Sequence, residues 1–220
     1  MTDKNPIEDL REIRKMMESS SKFLSLSGLS GIFAGLTALV GAYFAYQQIM
    51  TFEKKIPFYI AQGRFEEGVN EFYFQLLLLA ILILVTAISF GILFTWLKAK
   101  RQNKKLWTPL SLRLIISLMV PLGFGGLFIA GLFYNGFYIL IAPTTLIIYG
   151  LALLNGSKYV HVDIKYLALC QMALGVASVF FLDHAFLAWV IGFGVLHILY
   201  GTIMYFKYDR KQKFWVESTN

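Results

Sequence analysis

The sequence predicts an all-α membrane protein, a bundle of six transmembrane helices with both termini in the cytoplasm, preceded by a short amphipathic helix. Three observations predict this fold. Long stretches of the 220-residue chain carry no Asp, Glu, Lys or Arg, and an unpaired charge at bilayer depth is costly. The basic residues fall almost entirely on one side of these stretches. Finally, 57% of the residues are hydrophobic and only 15% are charged, a composition too apolar for a soluble domain.

Uncharged runs define the spans. The first run, which ends before Glu53, gives a span at about 23–46, and the second gives a span at 72–97. Both are long enough, since roughly 20 helical residues cross a hydrocarbon layer of about 30 Å. The third run has 44 uncharged residues between Arg113 and Lys158. As one helix it would be roughly 66 Å long at about 1.5 Å per residue, so it must turn back.

We predict that turn at Asn135 and Gly136, a dipeptide that readily adopts positive φ. The fifth span is the shortest, because its uncharged run has only 17 residues, and it is expected to stand nearly upright. The last four spans are therefore 114–134, 137–154, 166–182 and 185–206. They complete a membrane domain at 22–207, with a cytoplasmic tail at 208–220.

The basic residues set the orientation. Only Lys54, Lys55 and Arg64 fall on one side of the six spans, and the other 17 of the 20 Lys and Arg residues fall on the opposite side. Short cytoplasmic loops carry the excess of Lys and Arg, so both termini are predicted to be cytoplasmic. The net charge of +7 follows this membrane boundary, and we therefore predict no direct binding of nucleic acid.

Residues 1–21 are predicted to form a cytoplasmic amphipathic helix. Asn5, Pro6 and Glu8 provide an N-cap, a proline at the first helical position and an acid in the first turn. Five cations up to Lys22 are matched by five anions, so attraction to anionic lipid is weak and a protein contact fits better. Either this helix packs on the inner ends of its own bundle, or it contacts a cytoplasmic partner or a second copy. Its apolar face consists of Ile7, Leu10, Ile13 and Met17.

Small residues recur every four positions in the first span, at Ser27, Gly31 and Gly35. Such a stripe lets another helix approach closely. It serves either packing within the bundle or self-association. The segment after this span, 49–70, is too apolar for a free linker, and we expect a short helix along the outer interface, broken at Pro57 and Gly63.

Polar residues inside the membrane are the usual place to look for function. His197 lies ten residues before Lys207, roughly 15 Å along a helix at about 1.5 Å per residue. That places it near the midplane, where an imidazole could relay protons or ligate a haem iron. We expect instead that it bonds a neighbouring helix through Gln171, Thr144 or Tyr149.

Prolines predict kinks or local unwinding in spans three and four, at Pro121 and at Pro143, which precedes Thr144 and Thr145. Broken helices that face each other can bind a solute or an ion. One functional hypothesis is therefore a small-solute or ion transporter or channel, with its site between these spans near His197.

The other hypothesis is a non-enzymatic regulatory, sensory or scaffold protein that acts through its N-terminal helix. The HExxH, GxSxG and phosphate-loop motifs are missing from the sequence, so hydrolytic chemistry has no candidate residues. Cys170 is the only cysteine, which excludes a disulfide or a cysteine metal site within one chain. No second histidine matches the depth of His197, and we predict no haem, metal or other cofactor.

The stretch LREIRKMMESSSKFLSLSGLSGIFAG, Leu10 to Gly35, resembles the opening of a family of small six-span bacterial inner-membrane proteins with no assigned activity. The resemblance covers the N-terminal arm and part of the first span. It implies an inner-membrane location and, because such genes are sometimes found beside small winged-helix regulators, a membrane partner in a regulatory pair.

Overall fold

The computed structural model describes residues 27–101, 106–160 and 163–209. In these ranges the secondary structure is helical apart from the connecting turns, with no strand, which confirms the all-α prediction. The six helices are α1 (Gly28–Ala61), α2 (Phe65–Arg101), α3 (Pro109–Tyr134), α4 (Ile141–Gly156), α5 (Ile164–Phe180) and α6. Single 3-10 turns, Tyr138–Leu140 and Ser157–Tyr159, flank α4. Helix α6 consists of the consecutive segments Leu182–His184, Ala185–Trp189, Val190–Leu196, His197–Met204 and Tyr205–Asp209.

Five of these helices are long and apolar enough to cross a membrane, α4 when its two flanking 3-10 turns are included (Tyr138–Tyr159, 22 residues), and α5 is shorter at 17 residues. Helix α2 gives the strongest indication of a membrane environment. None of the residues in its most apolar 18-residue window is buried, and a helix that is apolar all round is stable only inside a large core or within lipid. The exposed apolar surface of α2 therefore indicates a membrane protein.

Two tight turns have the same geometry. At the end of α3, Gly136 has a φ of +75°, Phe137 N donates to Leu132 O at 2.9 Å and Gly136 N donates to Phe133 O at 3.1 Å. This is a Schellman motif, in which glycine supplies the left-handed residue after the helix. The predicted turn at Asn135 and Gly136 is thus confirmed as a helix cap.

Gly63, with a φ of +66°, ends α1 in the same way. Arg64 N donates to Tyr59 O at 3.0 Å, and Arg64 forms an ion pair with Glu67 at 2.7 Å. A hydrogen bond from Arg64 to Glu67, reinforced by the attraction between the two charges, raises the pKa of Arg64.

The prediction of a separate interfacial helix broken at Pro57 is wrong. Helix α1 continues through Pro57 to Ala61, and α2 begins at Phe65. Proline keeps a helical φ, but it removes one backbone hydrogen bond and crowds the carbonyl oxygen four residues earlier. A helix can tolerate this cost close to its exposed end. Segment 49–70 therefore belongs to two long helices that extend beyond the predicted spans and meet at a three-residue turn.

The predicted unwinding of spans three and four is also absent from the described residues. Helix α3 is continuous through Pro121. Pro143 lies in the first turn of α4, where a backbone N–H would have no partner within the helix in any case. The irregular stretch lies instead in α6, where Val190–Leu196 is π-helical.

The helices form three antiparallel hairpins. The turns at 62–64, 135–137 and 181 lie at one end of the bundle, which we name the turn end, and the opposite end is the terminal end. Helix α6 packs against α1, α4 and α5, while α2 packs on α1 and α3 packs on α4. At the turn end, Tyr73 of α2 stacks on Tyr138 with ring centroids 3.9 Å apart.

The contact between α1 and α6 brings two backbones together. A Cβ atom at Gly201 of α6 would lie 2.5 Å from Ile32 N and 2.7 Å from Gly28 O. On α1, Gly31 and Gly35 face Gly201 and the carbonyl of Gly194. The small-residue stripe of the first span is thus used for packing within the chain, and Ser27 is buried at its start.

Gly201→Ala should destabilise the protein, because the added methyl group would collide with backbone atoms that cannot rotate away. Overpacking of this kind costs roughly 1–3 kcal/mol. Gly123→Ala is the matched control, since a Cβ at Gly123 has nothing within 4 Å and alanine favours a helix by about 0.5–1 kcal/mol. Thermal unfolding in mild detergent should show a lower midpoint only for Gly201→Ala. Equal losses in both variants would contradict the close contact.

Candidate functional site

Three helices bring polar side chains together in the middle of the bundle. His197 of α6 is 6% exposed, Gln171 of α5 is fully buried, and Tyr149 of α4 bonds directly to the histidine. Gln171 faces inward because it lies on the buried side of α5, one turn after Leu167 and one turn before Gly175. We name these three side chains and the Gly192 carbonyl the histidine cluster.

The hydrogen bonds fix the tautomer of His197. Its Nδ1 atom lies 2.9 Å from the carbonyl oxygen of Gly192. A carbonyl can only accept, so Nδ1 carries the proton and donates. The other nitrogen, Nε2, then has a lone pair that accepts from Tyr149 Oη at 2.8 Å. A neutral imidazole is therefore satisfied on both sides.

Gln171 shares the same acceptor. Its Nε2 atom donates to Gly192 O at 2.8 Å, so the amide nitrogen, and not the oxygen, must face that carbonyl. The 3.4 Å approach of Gln171 Nε2 to His197 Nδ1 joins two donors and is a packing contact. The amide oxygen Oε1 is buried without a hydrogen-bond partner.

The π-helical segment Val190–Leu196 shapes this site. A Cβ at Gly192 would collide with a Leu146 methyl group and lie 2.6 Å from Gln171 Oε1, so a larger residue there would displace both buried side chains. π-Helical turns within α-helices frequently occur at functional sites. The sequence offers one weak signal of this geometry, the closely spaced pair Gly192 and Gly194.

Aromatic rings enclose the histidine. Phe193 stacks on the His197 ring, with centroids 5.8 Å apart and planes 12° apart, and Trp189 packs on Phe193 at 5.1 Å. Tyr149 contacts both Phe193 and His197. This aromatic shell keeps the polar atoms of the histidine cluster away from the surroundings, so their main effect is to hold α4, α5 and α6 together.

The structure brings together some of the predicted site residues and separates others. Gln171 and Tyr149 meet His197, whereas Thr144 is not among its partners and Thr145 donates to Ala142 O on its own helix at 2.7 Å. The predicted partner contacts at Ile7, Leu10, Ile13 and Met17 lie outside the described residues.

A second polar group, at the terminal end, was missed from the sequence. Lys207 Nζ of α6 lies 2.9 and 2.8 Å from the two carboxylate oxygens of Asp163, and Tyr208 Oη donates to Asp163 Oδ2 at 2.8 Å. These bonds tie the start of α5 to the end of α6. One signal was present in the sequence. Asp163 is the first acidic residue after Glu71, and an isolated acidic residue between two spans is expected to pair with a basic side chain. Because the lysine is half exposed, solvent screens the pair and its contribution to stability is small.

Among the residues that the structure describes, no three His, Cys, Asp or Glu side chains are grouped closely enough to hold a metal ion. The chain matches no protein-family model, no curated protein and no solved structure.

Tyr149→Phe should destabilise the protein, because it leaves His197 Nε2 buried without a donor. An unsatisfied buried polar group costs about 1–3 kcal/mol. Tyr134→Phe, which removes the same hydroxyl from a side chain that is 91% exposed, serves as the control. Chemical unfolding in detergent should reveal the loss in the first variant, and a Tyr149→Phe protein as stable as the control would refute the role given to this hydroxyl.

Proposed function

We propose that all six helices cross the bacterial inner membrane, with the terminal end in the cytoplasm. Helix α5 is the decisive element, because its 17 residues span only about 25 Å at about 1.5 Å per residue. It nevertheless packs antiparallel along α4, where Gly150 meets the Ala168 carbonyl and Gly175 meets Ile147. Helices at such close contact share the same depth, so α5 is proposed to lie where α4 lies. The excess of Lys and Arg at the terminal end supports this orientation.

We infer that the protein is a non-enzymatic regulatory, sensory or scaffold component that acts through its cytoplasmic N-terminal segment. The observation that carries this proposal is the complete hydrogen bonding of His197. His197 is the one ionisable side chain predicted near the midplane, and both of its ring nitrogens are bonded to neighbouring groups of the bundle. The bundle is then a rigid platform, and the segments outside the bilayer are left to make functional contacts.

Segment 1–21, with four cations and five anions, is the best placed of these for a cytoplasmic partner or a second copy. Its apolar positions Leu10 and Ile13 are predicted to share one face, with Glu8, Glu12 and Lys15 on the other. The resemblance of Leu10 to Gly35 to small inner-membrane proteins is consistent with a regulatory pair that includes a winged-helix protein.

A small-solute or ion transporter is the second candidate. One observation favours it, the buried Gln171 Oε1 without a partner beside the π-helical segment of α6. An acceptor of this kind can bind an ion or a donor group of a solute. The site would then lie among α4, α5 and α6, and not between spans three and four as the sequence predicted.

Co-purification in mild detergent tests the regulatory proposal. Deletion of residues 2–18 should abolish capture of the partner, and Leu10→Ser with Ile13→Ser should weaken it at least about tenfold, since two buried anchors together contribute more than about 1.4 kcal/mol. Glu12→Ser with Lys15→Ser, on the opposite face of the predicted helix, is the control and should retain the partner.

Retention of every partner by the deletion variant would refute action through the N-terminal segment. Solute or ion flux by the purified protein in liposomes, lost in His197→Ala, would favour the transporter instead.

A further inference from the structure

A cleft of about 240 Å³ lies between α1 and α2 near the turn end. The two helices touch on either side of it. Deeper in the bundle, Gly41 of α1 packs directly on Ile83 of α2, and next to the turn Gly68 of α2 packs on the ring of Tyr59. The cleft lies between these two contacts, so it is part of the packing of the hairpin.

One wall of the cleft is aromatic. Phe52 of α1 stacks on Phe72 of α2, with ring centroids 4.4 Å apart and planes 10° apart, and Tyr59 lies 6.2 Å from Phe52. The faces of such rings carry negative charge density and attract a cation within about 6 Å. An ammonium group that enters the cleft therefore meets a favourable wall.

The polar lining carries both signs of charge. Lys55 and Glu71 both line the cleft. Both belong to the described part of the chain, and they form no ion pair with each other. Glu71 accepts hydrogen bonds from Tyr59 Oη and Gln75 Nε2, but both are long at 3.4 Å. A carboxylate has about four acceptor positions, so Glu71 keeps capacity for a stronger donor.

Gln48 provides a second, independent indication of a ligand. Its Oε1 atom is buried without a hydrogen-bond partner, and the residue lines this cleft. A buried acceptor without a donor costs about 1–3 kcal/mol, a cost that a donor group on a ligand would remove.

We propose that this cleft binds a zwitterion. A primary ammonium group, with three N–H donors, would bond Glu71 and Gln48 Oε1 beside the aromatic wall, and an anionic oxygen group would bond Lys55. The volume of about 240 Å³ is below the usual range of about 300–1,000 Å³ for drug-sized ligands. It suits a small zwitterion such as phosphoethanolamine.

This chemistry has two sources. One is a free zwitterionic solute, and the other is the phosphoethanolamine headgroup of a lipid, because Glu71 directly precedes the second predicted span, 72–97. The site goes beyond the proposed function and does not require the N-terminal segment. Only its placement on the outer face rests on the proposed topology. The site also gives a role to Lys55, one of the three basic residues at the turn end. This residue would bind the anionic group of the ligand.

Calorimetric titration of the full-length protein, delipidated in mild detergent, tests the site with free phosphoethanolamine. A parallel arm reconstitutes the protein in mixed nanodiscs of phosphatidylethanolamine, phosphatidylcholine and phosphatidylglycerol and reads the retained lipid by native mass spectrometry. Binding should weaken at least about tenfold in Glu71→Gln and in Lys55→Gln, since each loses a charge-assisted hydrogen bond. Glu66→Gln and Lys54→Gln make the same changes on the same two helices outside the cleft, and both should bind as the wild type does.

Phosphocholine is the ligand control on the wild-type protein. Its trimethylammonium group has no N–H donor, so it should bind more weakly than phosphoethanolamine, and this comparison needs no variant.

Binding of the free compound would indicate a soluble ligand, and selective retention of phosphatidylethanolamine alone would indicate the lipid. The proposal is overturned if neither probe binds, if the cleft variants and their controls behave alike, or if phosphatidylglycerol is retained equally well. A variant that lacks residues 2–18 should still bind the ligand, so the zwitterion site and the regulatory proposal can be refuted independently.

Discussion

The close approach of α1 to α6 is the contact on which the rest of the structure depends. Glycine at position 201 lets two helix backbones meet without side chains between them. Helix α6 then carries α4 and α5 on its other side, while α2 is attached through α1 and α3 through α4. If this contact opened, the α1–α2 hairpin would lose its main attachment to the other four helices, and the cleft between α1 and α2 would remain on a separate unit.

Helices in a bilayer gain little from the hydrophobic effect, because lipid tails are as apolar as leucine. Packing and hydrogen bonds must therefore hold them together, and this bundle uses both in different places. Backbone contact joins α1 to α6, whereas the histidine cluster joins α6 to α4 and α5. The second arrangement explains why one ionisable residue, His197, is tolerated inside a bundle that otherwise exposes apolar side chains to its surroundings.

Much of the fold could be predicted from the sequence, because the length of an uncharged run and the position of a glycine determine the structure of their own segment. The turn at Gly136 follows from the length of one uncharged run. Prolines were less informative, since their cost depends on position: Pro57 lies near a helix end and Pro143 in a first turn. The predicted depth of His197 in the membrane limited its candidate hydrogen-bond partners to a few residues. Its bond to the Gly192 carbonyl could not be predicted, because it depends on a π-helical segment that no simple periodicity of residues encodes.

The crossing of the bilayer by α5 decides between six spans and five. With Cys170, the single native cysteine, replaced by alanine, a new cysteine can be placed at Asp183, after α5, or at Lys158, before it. A membrane-impermeant maleimide applied to intact cells measures which side each position faces. Six spans predict that Asp183→Cys reacts in intact cells and that Lys158→Cys reacts only after permeabilisation. The same accessibility at both positions would show that α5 does not cross.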